Sequence, residues 1–183
     1  MDMKKLARLL QLALIGAAVI GVVVFFMAVP MLGQEMAAIY PEYAAAYWPW
    51  QIFLWLCGVP CFMSLLPGWR VFGRLAGKNA FCRENGEDMK TIAHLAFFDT
   101  ALFVVGNAVM LAFGWHHPGY LLMAAVVALC GGVIGVVAQV LGISISSAYE
   151  LMHEKDFPSM RIGNRLIVPK EKFKIWVDEK IGK

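Results

Sequence analysis

Four separate stretches of this chain stay apolar for long enough to cross a lipid bilayer, and nothing else in the sequence limits the fold as tightly. Residues 12–30 are apolar apart from glycines and a final proline; 48–66 carry only Gln51 and Ser64 as polar interruptions; 92–113 carry His94, Asp99, Thr100 and Asn107; and 120–141 carry only Gln139. A bilayer core of about 30 Å needs about 20 helical residues. Lipid offers backbone groups no water to bond, so segments that cross it are expected to be helices. Composition agrees. The chain is 60% apolar and 16% charged, with a mean hydropathy of +0.66, where soluble domains carry about 25% charge and about 45–50% apolar residues. The expected architecture is an all-α membrane protein with spans at about 9–30, 48–66, 92–113 and 120–141, in a membrane domain of 1–137.

The basic residues orient it. Lys4, Lys5 and Arg8 precede the first span; Arg70, Arg74, Lys78, Arg83 and Lys90 lie between the second and third; eight more follow the fourth, from Lys155 to Lys183, completing all 16. The segments 31–47 and 114–119 have none. The positive-inside rule therefore predicts an inner-membrane protein with both termini and the 67–91 segment in the cytoplasm. Tyr40, Tyr43, Tyr47, Trp48, Trp50, Trp115 and Tyr120 supply interface aromatics at the other end. The first span has the basic start of a secretory signal, but its apolar run is longer than the usual 7–15 residues and no clear cleavage site follows, so it reads as a retained anchor.

Within the spans, small residues recur every four positions: Ala13, Ala17 and Gly21 in the first, and Ala124, Ala128 and Gly132 in the fourth, with Gly131 and Gly135 repeating the spacing. Such faces let helix backbones approach closely in lipid, within one chain or in a homodimer; the plainer explanation is the general abundance of Gly and Ala in membrane helices. Asp99 is the one acid inside a span, and Gln139, Asn107 and His94 are its candidate partners. An ionisable group at that depth points to function by default, yet no second acid or base completes a relay. A hydrogen-bonded role inside the bundle is the expectation. Cys57 and Cys61 share a helix face and read as small packing residues beside Pro60; His116 and His117 lack further ligands. No nucleophile–base pair, phosphate loop or metal cluster stands out, so neither an enzyme nor a cofactor is expected.

Two resemblances extend this reading. Gly77, Phe81, Glu84 and Asn85 ahead of the third span, and Ala148, Glu150, Leu151, Glu154, Asp156 and Phe157 in "AYELMHEKDF", resemble the pattern of a bacterial family of small four-helix membrane proteins of unknown function over residues 1–157. The segment "VAQVLGISISSAYELMHEKDFPSMRIGNRLIVPKEKFKIWVDE" resembles the excisionase-type, MerR-like winged helix-turn-helix domains over residues 137–180. In that likeness Ala138 is small where two helices cross, Gly142 makes the turn, Ser144 caps the recognition helix, Gly163 and Asn164 form the tip of a β-hairpin wing, and Phe173, Trp176 and Val177 line one face of a last helix.

The resemblance implies a small C-terminal winged helix-turn-helix at 138–183 and implies DNA as a partner. Ser146, Ser147, Tyr149 and His153 would face the major groove, Arg161 and Arg165 would reach phosphate or minor groove, and Lys170, Lys172 and Lys174 would add non-specific attraction. The expected function is a membrane-tethered DNA-binding or transcriptional regulator. The alternative is an integral membrane protein of regulatory or transport role whose tail does not bind DNA and only touches anionic lipid. The two patterns collide at residues 138–157. The membrane family predicts one helix from 120 to about 155, the excisionase family a break at Gly142-Ile143-Ser144. Because Leu141, Leu151, Phe157, Ile162, Ile167, Phe173 and Trp176 need one another as a core, the break is the expectation.

Overall fold

A computed structural model describes residues 3–76, 82–115, 118–162 and 165–181. Its framework is four long helical runs. The first comprises α1 (Met3–Val23), a π-helical segment (Val24–Ala28) and α2 (Val29–Ile39). A 3-10 segment (Pro41–Ala46) leads into α3 (Tyr47–Ala76); then come α4 (Arg83–Ala112) and α5 (Pro118–His153). The tail adds β1 (Met160–Ile162), β2 (Arg165–Ile167) and α6 (Lys170–Ile181). The four long runs, Lys4–Ile39, Pro41–Leu75, Arg83–Ala112 and Tyr120–His153, are each long and apolar enough to cross a membrane, which fits a multi-pass membrane protein.

The helices outrun the apolar stretches. Residues 67–76, beyond the expected second span, and 83–91, ahead of the third, are helical and extend α3 and α4 by several turns at the basic end. Pro30 was expected to end the first span, yet helix continues to Ile39. The local reason lies one turn earlier. A proline has no N–H for the carbonyl four residues back and its ring crowds that carbonyl, which here belongs to Phe26; the π-helical turn around Phe26 absorbs the mismatch.

Neighbours in sequence are neighbours in space: α1 packs on α3, α3 on α4 and α4 on α5. Among the described residues no comparable contact joins α1 to α4 or α5, so the spans form an open row. Glycines set the close approaches. Phe62 lies over Gly21, Phe25 over Gly58, and the Phe53 ring occupies the slot left by Gly106. Phe53, Cys57 and Met110 are the buried core between α3 and α4, walled by Trp50, Leu54, Leu102, Phe103 and Trp115. On α5, Gly131 meets Thr100 and Gly135 meets Phe97. The fourth span therefore turns Gly131 and Gly135 toward α4.

The largest departure from expectation is α5, which does not break at 142–144 and runs unbroken from Pro118 to His153. Gly142 makes no turn: a Cβ there would lie 3.1 Å from the Gly86 carbonyl oxygen and 3.1 Å from the Lys90 nitrogen, so its bare backbone is where α5 crosses α4. Ser144 is not a cap; its hydroxyl donates to the Val140 carbonyl at 2.8 Å, and Ser146 does the same to Gly142 at 2.9 Å, a back-bonding that keeps serine inside a helix. The aromatic core that seemed to require the break forms anyway. The chain folds back after His153, where the Ser159 hydroxyl donates to the Met152 carbonyl at 2.7 Å, and Phe157 then meets Trp176 at 5.0 Å and Phe173 at 6.0 Å between ring centroids.

Candidate functional site

The basic end of the row holds most of the chemistry, and α5 brings it there. Following α5 down from the membrane, Gly135, Ala138 and Gly142 are buried and Ser146 half-buried, all on the side facing α4. A Cβ on Gly86 would run into the Ser146 hydroxyl and lie 3.3 Å from the Ser146 nitrogen. Ser146, expected in the major groove, is thus turned toward α4. Ser147 and His153 are exposed and Tyr149 is half-buried. The Tyr149 and His153 rings lie 4.2 Å apart, and His153 Nδ1 sits 2.8 Å from the Tyr149 carbonyl. These residues share one helix with the span, so no separate recognition helix carries them.

The hairpin, by contrast, is present. Met160 pairs with Ile167, Arg161 with Leu166 and Ile162 with Arg165 in antiparallel register. Arg161 is exposed on β1 and Arg165 opens β2. Lys170, Lys172 and Lys174 are exposed on α6, and Lys180 lies 5.7 Å over the Trp176 ring. The structure thus brings the last helix onto Phe157 through Phe173 and Trp176, and places the candidate base-facing residues on α5. Gly163, Asn164, His116, His117, Gly77, Lys78, Phe81 and Lys183 lie outside the described residues.

A second cluster sits where α3 and α4 leave the apolar stretch, and sequence reasoning missed it. Asp88 is buried and accepts from Arg70 at 2.8 Å and Arg74 at 2.5 Å; Arg74 also donates to the buried Asn85 at 2.9 Å. Arg70 and Arg74 are one turn apart on α3, so one carboxylate on α4 receives both. The signal was there in the spacing of the arginines, but assigning 67–91 to a loop hid it. Beside it Cys82 precedes α4. Its thiol is pushed above the ordinary range chiefly by burial and also by a hydrogen bond with Glu84, against a lowering backbone contact at Asn85.

Asp99 finds none of its three expected partners. Its Oδ2 accepts from the Cys61 thiol at 3.1 Å, while Oδ1 has no partner. Asn107 donates instead to the Phe103 carbonyl at 2.8 Å, and the buried Gln139 Oε1 is likewise unpaired. Cys61, read as packing, is therefore the group that meets the acid. Among the described residues no three metal-ligating side chains converge.

These features fit a multi-span helical membrane protein with a short basic tail. Residues 31–157, more than half of the chain, match the family described as protein of unknown function (DUF2975), and the chain belongs to that family. Residues 135–181 match a second model, that of the prophage CP4-57 regulatory protein AlpA. The two matches share 135–157, the stretch where α5 leaves the bundle and ends. Searches of curated proteins and of solved structures match nothing.

Proposed function

We propose that the chain is a membrane-tethered regulatory protein whose tail, in the helical form described above, is held by the four-span row and not by DNA. One observation carries this reading: the Gly142–Gly86 crossing, which keeps 142–146 in α5 and turns Ser146 toward α4. A helix-turn-helix reads bases with a second helix set at an angle to the first, and a straight α5 has no such pair. The regulatory part of the proposal rests on the likeness to AlpA.

A second reading, DNA binding by 135–181, is supported by a specific observation: a two-stranded hairpin and a Phe157–Phe173–Trp176 cluster are both present, as a winged unit would need. It requires α5 to open at 142–144. One experiment separates the two. Full-length protein in nanodiscs is titrated with labelled duplex DNA at 50 and 200 mM salt, alongside empty nanodiscs and the Ile143→Pro variant. The first reading expects no binding beyond empty discs for the unmodified chain. Salt-dependent binding by the unmodified chain, strengthened by the proline, sinks the first reading and establishes the second.

A further inference from the structure

The first helical run is longer than a bilayer needs. At helical rise, residues 9–30 already reach about 33 Å, enough for a core of about 30 Å. α2 carries the helix on to Ile39, about 13 Å further, and it is still largely apolar. Met31, Leu32, Met36 and Ile39 are exposed, and no residue of α2 is buried. Val29, Leu32, Gly33, Met36 and Ala37 fall at the spacing of one helix face, the kind of stripe that ordinarily packs on a neighbour. Here it lines a cavity of about 530 Å³ that lies between α2, the 3-10 segment and the start of α3.

The junction with α1 is built differently. Trp55 Nε1 donates to the Phe25 carbonyl at 3.0 Å, its ring stacks on Phe26 with centroids 6.1 Å apart, and the Phe25 ring lies over Gly58. These contacts fasten the π-helical turn (Val24–Ala28) to α3. Pro30 offers no N–H to the Phe26 carbonyl, so a bond that would resist bending is missing at that turn. Past the turn the ties are light. Gln34 donates to the Tyr47 hydroxyl at a long 3.4 Å, and Gly33 shows the Tyr47 ring no Cβ. We propose that α2 is a hinged extension of the first span that bends at the π-helical turn as the bilayer thins. In a thick bilayer α2 continues α1. In a thin one its surplus apolar length is left above the hydrocarbon, and bending toward α3 takes the stripe back out of water; the cavity is the room that movement uses. The driving force is hydrophobic mismatch. The inference rests on the spans crossing a bilayer and is independent of how the tail works.

The test uses full-length protein in nanodiscs, with spin labels carried on p-acetylphenylalanine at Leu12 and Ile39 so that the native cysteines stay in place. Both positions are exposed. Along a straight helix their Cα atoms lie about 40 Å apart, and a bend of about 60° near Phe26 brings them to about 35 Å. Tilting of a rigid helix, the other response to mismatch, leaves this distance unchanged. Pulsed dipolar spectroscopy should read the long distance in discs of long-chain phosphatidylcholine and about 5 Å less in discs of short-chain phosphatidylcholine. Pro30→Ala restores the missing N–H and should hold the long distance in both lipids. Equal distances for the unmodified sequence in the two lipids overturn the proposal. So does an undiminished shift in the Pro30→Ala variant, since the bend would then lie elsewhere.

Discussion

Replacing Ile143 with proline tests whether the fourth span and the start of the tail are one rigid piece. Ile143 is half-exposed, so little packing is lost. In a continuous α5 its amide donates to the carbonyl of Gln139. Proline removes that donor and presses its ring on the same carbonyl, at a cost of about 3 kcal/mol, or roughly 150-fold in favour of any form that bends there. Val133 and His153 lie ten residues to either side. At about 1.5 Å per residue a straight helix separates their Cα atoms by about 30 Å. Two arms of about 15 Å meeting at the angle of about 90–120° found in a helix-turn-helix would bring them to about 15–21 Å. Spin labels at these two positions, read by pulsed dipolar spectroscopy in nanodiscs, should give the long distance in the otherwise unmodified chain and add a shorter population in the proline variant. A dominant short distance before any proline is introduced would refute the account of Gly142 as a packing glycine.

Three further outcomes are expected. Cys82 should react with a charged maleimide in inverted vesicles but not in right-side-out ones, using Cys82→Ser as the blank, and a reporter near Glu42 should be external; the reverse labelling would overturn the orientation read from the charges. Because burial raises that thiol, less of it is thiolate at neutral pH, and its labelling rate should keep climbing with pH beyond the range where an unperturbed cysteine has levelled off. Asp88→Asn should lower stability by about 2 kcal/mol, a charged hydrogen-bond loss moderated by the 57% exposure of Arg70; an unchanged thermal midpoint would mean the cluster does not hold α3 on α4. Asp99→Asn should leave the midpoint nearly unchanged, since an amide oxygen still accepts from Cys61, whereas loss of a proton-coupled activity would point to transport.

The spans were legible because lipid imposes one length and one secondary structure on any apolar run. What that argument does not reach is where a helix stops outside lipid. Residues 67–76 and 83–91 are polar enough to read as a loop, yet the Arg70–Asp88–Arg74 cluster satisfies their charges on helix faces. The tail was misjudged at Ala138 and Gly142 for a different reason: both residues suit two patterns. A helix-turn-helix wants them small for its crossing and its turn. They also continue, at spacings of three and four, the series Ala124, Ala128, Gly131 and Gly135, and burial toward α4 follows that series. Residue type was right in both readings, and only the packing partner decides between them. Of the expected tail core, Phe157, Phe173 and Trp176 meet, whereas Leu141, Ile162 and Ile167 are exposed, and the hinge lies about three helical turns beyond the expected one.

A helix without a flexible joint behaves as a shaft. Inserting one residue between Ala138 and Gly142 would turn everything beyond it by about 100° and push it out by about 1.5 Å. Ser146 would leave its seat beside Gly86 and the hairpin would swing to another side of the row. Inserting seven would nearly restore the heading, because seven residues come within about 20° of two full turns. The same gearing works in the other direction: a small roll of α5 at its apolar end reaches Ser146 and His153 as an equal change of bearing, carried by one uninterrupted rod from Pro118 to His153.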